Sequence, residues 1–162
     1  MVHQTTSITT KVFLNPEELD SNIKFCLQKK IVDIYENKCS EDYGYIIKIK
    51  NIEKIIDTNI SPTNSYIFFT VKVNITCLKP DISESYESVV CVIFNKGIFT
   101  EIENKLKVLI PIDRIKNYKL NEDLTVCTTN GVDIKKGSIL KVKIYDYKYS
   151  NGNFNCLGCI SD

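Results

Sequence analysis

The sequence predicts an α+β chain, mainly β, in which one helix lies on an antiparallel sheet and a small all-β barrel follows. Three observations predict it. Apolar residues recur at helical spacing in one stretch, from Leu19 to Ile34. Two long runs after it alternate between apolar and polar residues. Beyond residue 80 come five short strand-like runs divided by turns. The 162 residues suffice for one compact domain or two small ones, and 43% apolar with 25% charged residues is ordinary for a folded globular chain.

In chain order, residues 8–14 read as a strand. A helix is expected from Asn15, a good N-cap, with Pro16 at the first helical position and Glu18 completing a capping box. Its apolar stripe is Leu19, Ile23, Leu27, Ile31 and Ile34, widened by Cys26 and Tyr35, and residues 40–44 end it. Residues 45–56 then read as a strand with Ile47 and Ile49 opposed to Lys48 and Lys50. Residues 66–78 read as another, with Phe69, Val71, Val73 and Ile75 on one face. A polar, proline-containing loop at 57–64 separates them. Lys79-Pro80-Asp81 is the expected boundary, giving domains 1–80 and 81–162. In the second domain, strands are expected at 87–94, 98–102, 107–110, 139–149 and 154–160, with turns at 133–137 and 150–153. Five short strands in about eighty residues suit a Greek-key barrel of the OB type.

Composition excludes several functions. The net charge is +1, with 21 basic and 20 acidic residues, so nucleic-acid contact has to be local. Arg114 is the only arginine, and lysine lacks the planar fork that reads base edges, which argues against sequence-specific groove readout. No apolar run approaches membrane-spanning length, and MVHQTTSITTK has no signal-peptide core, so an intracellular chain with no membrane contact is expected. Seven scattered cysteines agree with a reducing compartment, where the Asn74-Ile75-Thr76 sequon is inert. His3 is the only histidine, which leaves no imidazole for acid–base or triad chemistry. Neither a phosphate-binding glycine loop nor an HExxH pattern is present. Cys156 and Cys159 lack a second CxxC, and on a regular strand they face opposite sides, so no metal site follows. A non-catalytic protein with no cofactor is expected.

One run does suggest binding. In residues 139–149, Leu140, Val142 and Ile144 share one face of a regular strand. Lys141, Lys143, Tyr145, Tyr147 and Tyr149 share the other. Interleaved charge and rings suit single-stranded RNA. The same run also fits a half-buried strand whose tyrosines pack on a neighbour, and a bulge near Asp146 would divide the stripe.

Asn95-Lys96-Gly97-Ile98-Phe99-Thr100-Glu101-Ile102 resembles the glycine-aromatic-Thr-Glu segment of the seventh-subunit family of eukaryotic RNA polymerase II, the larger stalk subunit, and its archaeal counterpart. Val12-Phe13-Leu14-Asn15-Pro16, Tyr43-Gly44-Tyr45-Ile46-Ile47 and Cys77-Leu78-Lys79-Pro80 resemble successive pieces of the same family, as do Asp133-Ile134, Lys143-Ile144 and the segment 154–158. The resemblance runs in order from Val12 to the C-terminal end. It implies a truncated ribonucleoprotein-type N-terminal domain followed by an OB domain. It also implies a non-catalytic subunit acting in transcription, including initiation. Such a subunit docks on the clamp region of the largest polymerase subunit, sits beside a smaller stalk subunit, and meets nascent single-stranded RNA weakly. Carried over by residue, docking falls to Asp42, Tyr43 and Gly44 with Asn59, Ile60, Ser61 and Pro62. RNA contact falls to Lys96, Phe99 and Lys148, beside Lys141 and Lys143 of the basic strand. Where related domains carry an aromatic before the glycine and a histidine near the third strand, this chain has Lys96 and Pro111, which favours electrostatic guidance over stacking. The resemblance places the chain in the nucleus if cellular, or in a cytoplasmic viral factory or virion if it belongs to a large DNA virus. The competing expectation is a free-standing OB-fold RNA-binding protein of translation or RNA decay, which would not need the first eighty residues.

Overall fold

Eleven residues without glycine or proline, four of them threonine, form strand β1, Gln4–Leu14, in a computed structural model that describes residues 3–161. Asn15 ends the strand and caps the next turn. Its side chain accepts from the Glu18 backbone N–H at 3.0 Å, and the Glu18 carboxylate accepts from the Asn15 N–H at 3.0 Å. The capping box is therefore present, but it closes only a 3-10 turn, Pro16–Glu18. Leu19 is extended, and Asp20 binds the backbone N–H of Ser21 at 2.6 Å. Such local side-chain bonds compete with helix. Asn22 then serves as a second N-cap, accepting from Phe25 N–H at 3.1 Å, and α1 is Ile23–Tyr35. The single helix expected from Asn15 is thus two elements. Leu27 and Ile31 of the expected stripe are fully buried, whereas Ile23 is 42% exposed.

The helix packs on a sheet of order β1-β4-β3-β2, all antiparallel, where β2 is Cys39–Ser40, β3 is Gly44–Ile60 and β4 is Ile67–Leu78. Alternation along β4 is as expected: Phe69, Val71, Val73 and Ile75 are buried. Along β3 it is not. The β3–β4 register shifts four times, at Ile46/Lys48, Ile49/Asn51, Ile52/Lys54 and Ile55/Asp57. At each bulge two β3 residues oppose one of β4, so the inward face of β3 repeats every three residues. Ile46, Ile49, Ile52 and Ile55 stand opposite the buried Cys77, Ile75, Val73 and Val71. The expected grouping of Ile47 with Ile49 is corrected accordingly. Strand β3 also extends through Asn59 and Ile60, which the sequence assigns to the loop.

The chain divides into two units between Lys79 and Pro80. In the second, β5 (Ser85–Phe94), β6 (Gly97–Ile102), β7 (Leu106–Pro111), β11 (Ile139–Ser150) and β12 (Asn153–Ile160) close a barrel of order β11-β12-β7-β6-β5. The β12–β7 pairing is parallel. Three further strands, β8 (Tyr118–Leu120), β9 (Val126–Thr129) and β10 (Val132–Lys135), form a small sheet between β7 and β11 in sequence. The expected turn at 133–137 is therefore mostly strand. Barrel-core polar groups are satisfied: Thr100 Oγ1 donates to the Val108 carbonyl at 3.3 Å and Ser88 Oγ to that of Leu140 at 3.2 Å. The fold is α+β and mainly β, a helix-on-sheet unit followed by a closed five-stranded barrel. Among the described residues, no helix is long and apolar enough to cross a membrane.

Candidate nucleic-acid and docking surfaces

Strand pairing decides which barrel side chains meet on the outer wall. Phe99 on β6 stands opposite Leu109 on β7, Leu109 opposite Leu157 on β12, and Leu157 opposite Asp146 on β11. The next row runs Glu101, Lys107, Asn155, Lys148 through the same pairings. Inward neighbours Ile98, Thr100, Val108 and Ile110 are fully buried, so these rows face outward. Together they line an open groove of about 490 Å³, with Phe94 at its margin and an apolar floor edged by Lys107 and Lys148. An apolar strip with lysines along its edge offers rings to bases and charge to phosphates.

The groove is built on Gly97. This residue follows the Asn95-Lys96 turn with φ +152°, and a Cβ there would lie 2.1 Å from the Ile110 carbonyl oxygen. Only glycine lets β6 approach β7 closely enough to bring Phe99 against Leu109.

Of the sequence-predicted RNA residues, Phe99 and Lys148 line the groove. Lys96 is exposed at the β5–β6 turn. Lys141 and Lys143 are exposed beside β5, opposite Glu87 and Ser85, and do not line it. A bulge between Ile144 and Asp146 divides the expected stripe. Before it, Lys141 and Lys143 point outward. After it, Asp146 and Lys148 do, while Tyr147 and Tyr149 turn inward onto buried Phe154, with ring centroids 5.8 and 5.1 Å away. Tyr145 instead lies under the Arg114 guanidinium at 4.7 Å. The tyrosines are thus held by packing, with Tyr147 alone of the three also reaching the groove lining, and the rest of the groove's apolar floor comes from Leu109 and Leu157, which sequence reasoning missed. Their signal was the alternation Lys107, Leu109 opposite Glu101, Phe99, visible only once the register is known.

The two segments expected to dock lie at opposite ends of β3. Asp42 and Tyr43 precede its first residue, and Asn59 and Ile60 end it, roughly 35 Å away at strand rise. The first turn is tied down. Tyr43 N–H donates to Ser40 Oγ at 3.2 Å, Lys79 Nζ donates to the Asp42 carbonyl at 3.0 Å, and Gly44 is packed against the Leu78 carbonyl. The second end is open: Ile60 is 71% exposed and Pro62 is exposed. These segments do not form one surface.

Cys156 faces the barrel interior, where burial pushes its thiol up to about 12, while Cys159 stands opposite the outward Lys143. The two sulfurs occupy opposite faces. Among the described residues, no cluster of His, Cys, Asp or Glu could hold a metal ion.

Comparison with known proteins adds two findings. Residues 9–66 match the family described as the SHS2 domain found in the N terminus of Rpb7p/Rpc25p/MJ0397. The chain is also 24% identical over 88 residues to DNA-directed RNA polymerase II subunit rpb7 of Dictyostelium discoideum; the match covers 54% of this chain and 51% of that protein. The helix-on-sheet unit is thus similar to an SHS2 domain of the Rpb7 kind over residues 9–66, and the likeness of the chain to the Rpb7 family, read first from its residues, is borne out.

Proposed function

We propose that this chain is a non-catalytic stalk subunit of a multisubunit DNA-directed RNA polymerase, acting in transcription. The observation that carries this reading is the SHS2-type unit at residues 9–66, followed in the same chain by a closed five-stranded barrel. A free-standing barrel protein has no use for the first unit. The open β3–β4 end, with Ile60 and Pro62, is the docking element toward the clamp of the largest polymerase subunit. An exposed isoleucine two residues before a proline gives an apolar contact on a stiffened turn. The barrel groove is the path for nascent RNA, with Phe99, Lys107 and Lys148 as contacts and Lys96, Lys141 and Lys143 as outlying charges. A lysine-edged groove on a chain of net charge +1 gives weak, salt-sensitive guidance rather than tight capture. A smaller stalk subunit is the further partner in this reading. The site of action is the compartment in which the polymerase works, nuclear or viral.

The groove is tested by zero-length crosslinking of transcript to the subunit in elongating polymerase. Lys107→Ala with Lys148→Ala is expected to lower crosslinking several-fold and to flatten its salt dependence. Unchanged crosslinking by a normally folded variant removes the groove from the RNA path.

A further inference from the structure

The hairpin that joins β3 to β4 carries a hydroxyl group that docking through Ile60 and Pro62 does not use. Of the prolines in the chain, Pro16, Pro62, Pro80 and Pro111, only Pro62 follows a serine or threonine, so Ser61-Pro62 occurs once. It stands at the open end of the hairpin. Residues 56–60 and 62–65 are exposed, and Ser61 between them is half-buried. The loop is held at its ends: Ser61 N–H donates to the Tyr66 carbonyl at 2.8 Å, and Tyr66 N–H to Asn64 Oδ1 at 3.2 Å. Among the described residues, 62–65 make no backbone-to-backbone hydrogen bond, and Pro62 has no N–H to offer. An exposed segment whose backbone is this free can enter an enzyme cleft without unfolding the sheet.

The surroundings of Ser61 suit a phosphoryl group and set its effect. Thr63 N–H donates to Ser61 Oγ at 3.4 Å, and the two hydroxyls lie 3.2 Å apart. A phosphate on that oxygen would find both Thr63 groups as donors. Neutralising charge is not at hand. From Asp57 to Ile67 the chain has no lysine or arginine, and Asp57 is the only charged residue. The lysines that reach the aromatic residues at this end are engaged, Lys30 with Glu18 at 2.8 Å and Lys11 over the Phe68 ring at 5.2 Å. A phosphate carries about −1.5 to −2 at neutral pH, so the hairpin end would move from the single charge of Asp57 to roughly −3. Ile60, 71% exposed, is the adjacent residue. A dianion beside it has to shed water before the end can press on an apolar partner surface, which opposes the contact.

We propose that Ser61 is a phosphorylation site for a proline-directed protein kinase, and that its phosphate releases the hairpin end from its docking partner. In the reaction Ser61 Oγ attacks the γ-phosphorus of a nucleoside triphosphate. The new O–P bond forms as the bond from that phosphorus to the β–γ bridging oxygen breaks, the nucleoside diphosphate leaves, and the hydroxyl proton passes to a base of the kinase. Pro62 sets the class of kinase, since its ring and missing N–H fit a cleft shaped for proline and are poorly matched to one that bonds an N–H there. The release rests on the docking role proposed for Ile60 and Pro62; the modification does not.

The test has two arms. In the first, the purified full chain is incubated with ATP and a cyclin-dependent kinase, and the phosphate is located by tandem mass spectrometry. Near-stoichiometric phosphate at Ser61 is expected, abolished by Ser61→Ala and lowered at least about tenfold by Pro62→Ala. Circular dichroism confirms that each variant is folded. No phosphate on the folded wild-type chain, phosphate at another residue in place of Ser61, or an unchanged yield in Pro62→Ala overturns the site. In the second arm, tagged wild-type, Ser61→Gln and Ser61→Glu chains are purified from the cells that naturally make the protein. Ser61→Gln is expected to recover the two largest polymerase subunits like the wild type, and Ser61→Glu about tenfold less. Equal recovery by the two variants overturns the release. Phosphate at Ser61 of a wild-type chain that recovers no polymerase overturns docking itself, and the release with it, and leaves the site standing.

Discussion

A methyl group at position 97 has nowhere to go. The backbone there sits at φ +152°, outside what side-chain-bearing residues adopt, and the Ile110 carbonyl occupies the space a Cβ would need. Gly97→Ala is expected to destabilise the barrel by about 3 kcal/mol, read as a lower urea midpoint at unchanged slope. A loss below about 1 kcal/mol would mean that β6 and β7 are not packed this closely. Tyr86 gives a second handle on the same barrel. Its side chain is buried, its hydroxyl accepts from the Asp81 N–H at 3.0 Å, and burial pushes its pKa up to about 12. A folded pKa raised above the unfolded value stabilises below the ordinary tyrosine range and is lost as pH rises toward the folded value. Stability should therefore fall between about pH 10 and about 12. Tyr86→Phe should flatten that limb in pH-dependent denaturation and cost about 1 kcal/mol at neutral pH through the unmet Asp81 N–H. An alkaline limb identical in both proteins would assign it to other groups.

At the scale of elements, strand β3 shows what regular periodicity conceals. Ile46, Ile49, Ile52 and Ile55 repeat every three residues, a spacing that belongs neither to a flat strand nor to a helix. The pattern was legible in the sequence, but a two-residue rule groups Ile47 with Ile49 and misses it. Truncation separates the two readings. Ile46→Ala and Ile49→Ala should each cost about 3 kcal/mol, because both side chains are buried although they lie an odd number apart. Ile56→Ala, at a bulge and 49% exposed, should cost less than about 1 kcal/mol. Equal losses at all three positions would contradict the bulged register. A single bulge in β11 has the same effect on the candidate site, since it turns Tyr147 and Tyr149 inward and leaves Lys148 outside. Turn chemistry was more readable. Ser150-Asn151-Gly152-Asn153 forms the expected hairpin, with positive φ at both central residues. Asn130-Gly131 makes the same kind of turn between β9 and β10, and it was the signal for the unexpected small sheet. The start of α1 was hidden for a different reason: two good N-caps, Asn15 and Asn22, lie seven residues apart, and local bonds at Asp20 and Ser21 favour the second.

For the whole molecule, a nearly neutral chain places two lysines, Lys107 and Lys148, at the edge of the barrel groove and five on the outer face of the N-terminal sheet. Neither shows in net charge, which is why composition predicts weak contact at most. The order of the two units was legible because the segments resembling the stalk family fall in sequence order along the chain. The groove floor was not, because Leu109 and Leu157 lie far apart in sequence and meet only through the parallel pairing of β7 with β12. The central claim is that the chain is a subunit of a polymerase. Affinity purification of the tagged chain from the cells that naturally make it, followed by mass spectrometry, tests this directly. The expected result is recovery of the two largest polymerase subunits in amounts matching the bait, and their loss on Ile60→Asp, an exposed position whose change leaves the fold intact. Recovery of a folded chain without those subunits would contradict the account.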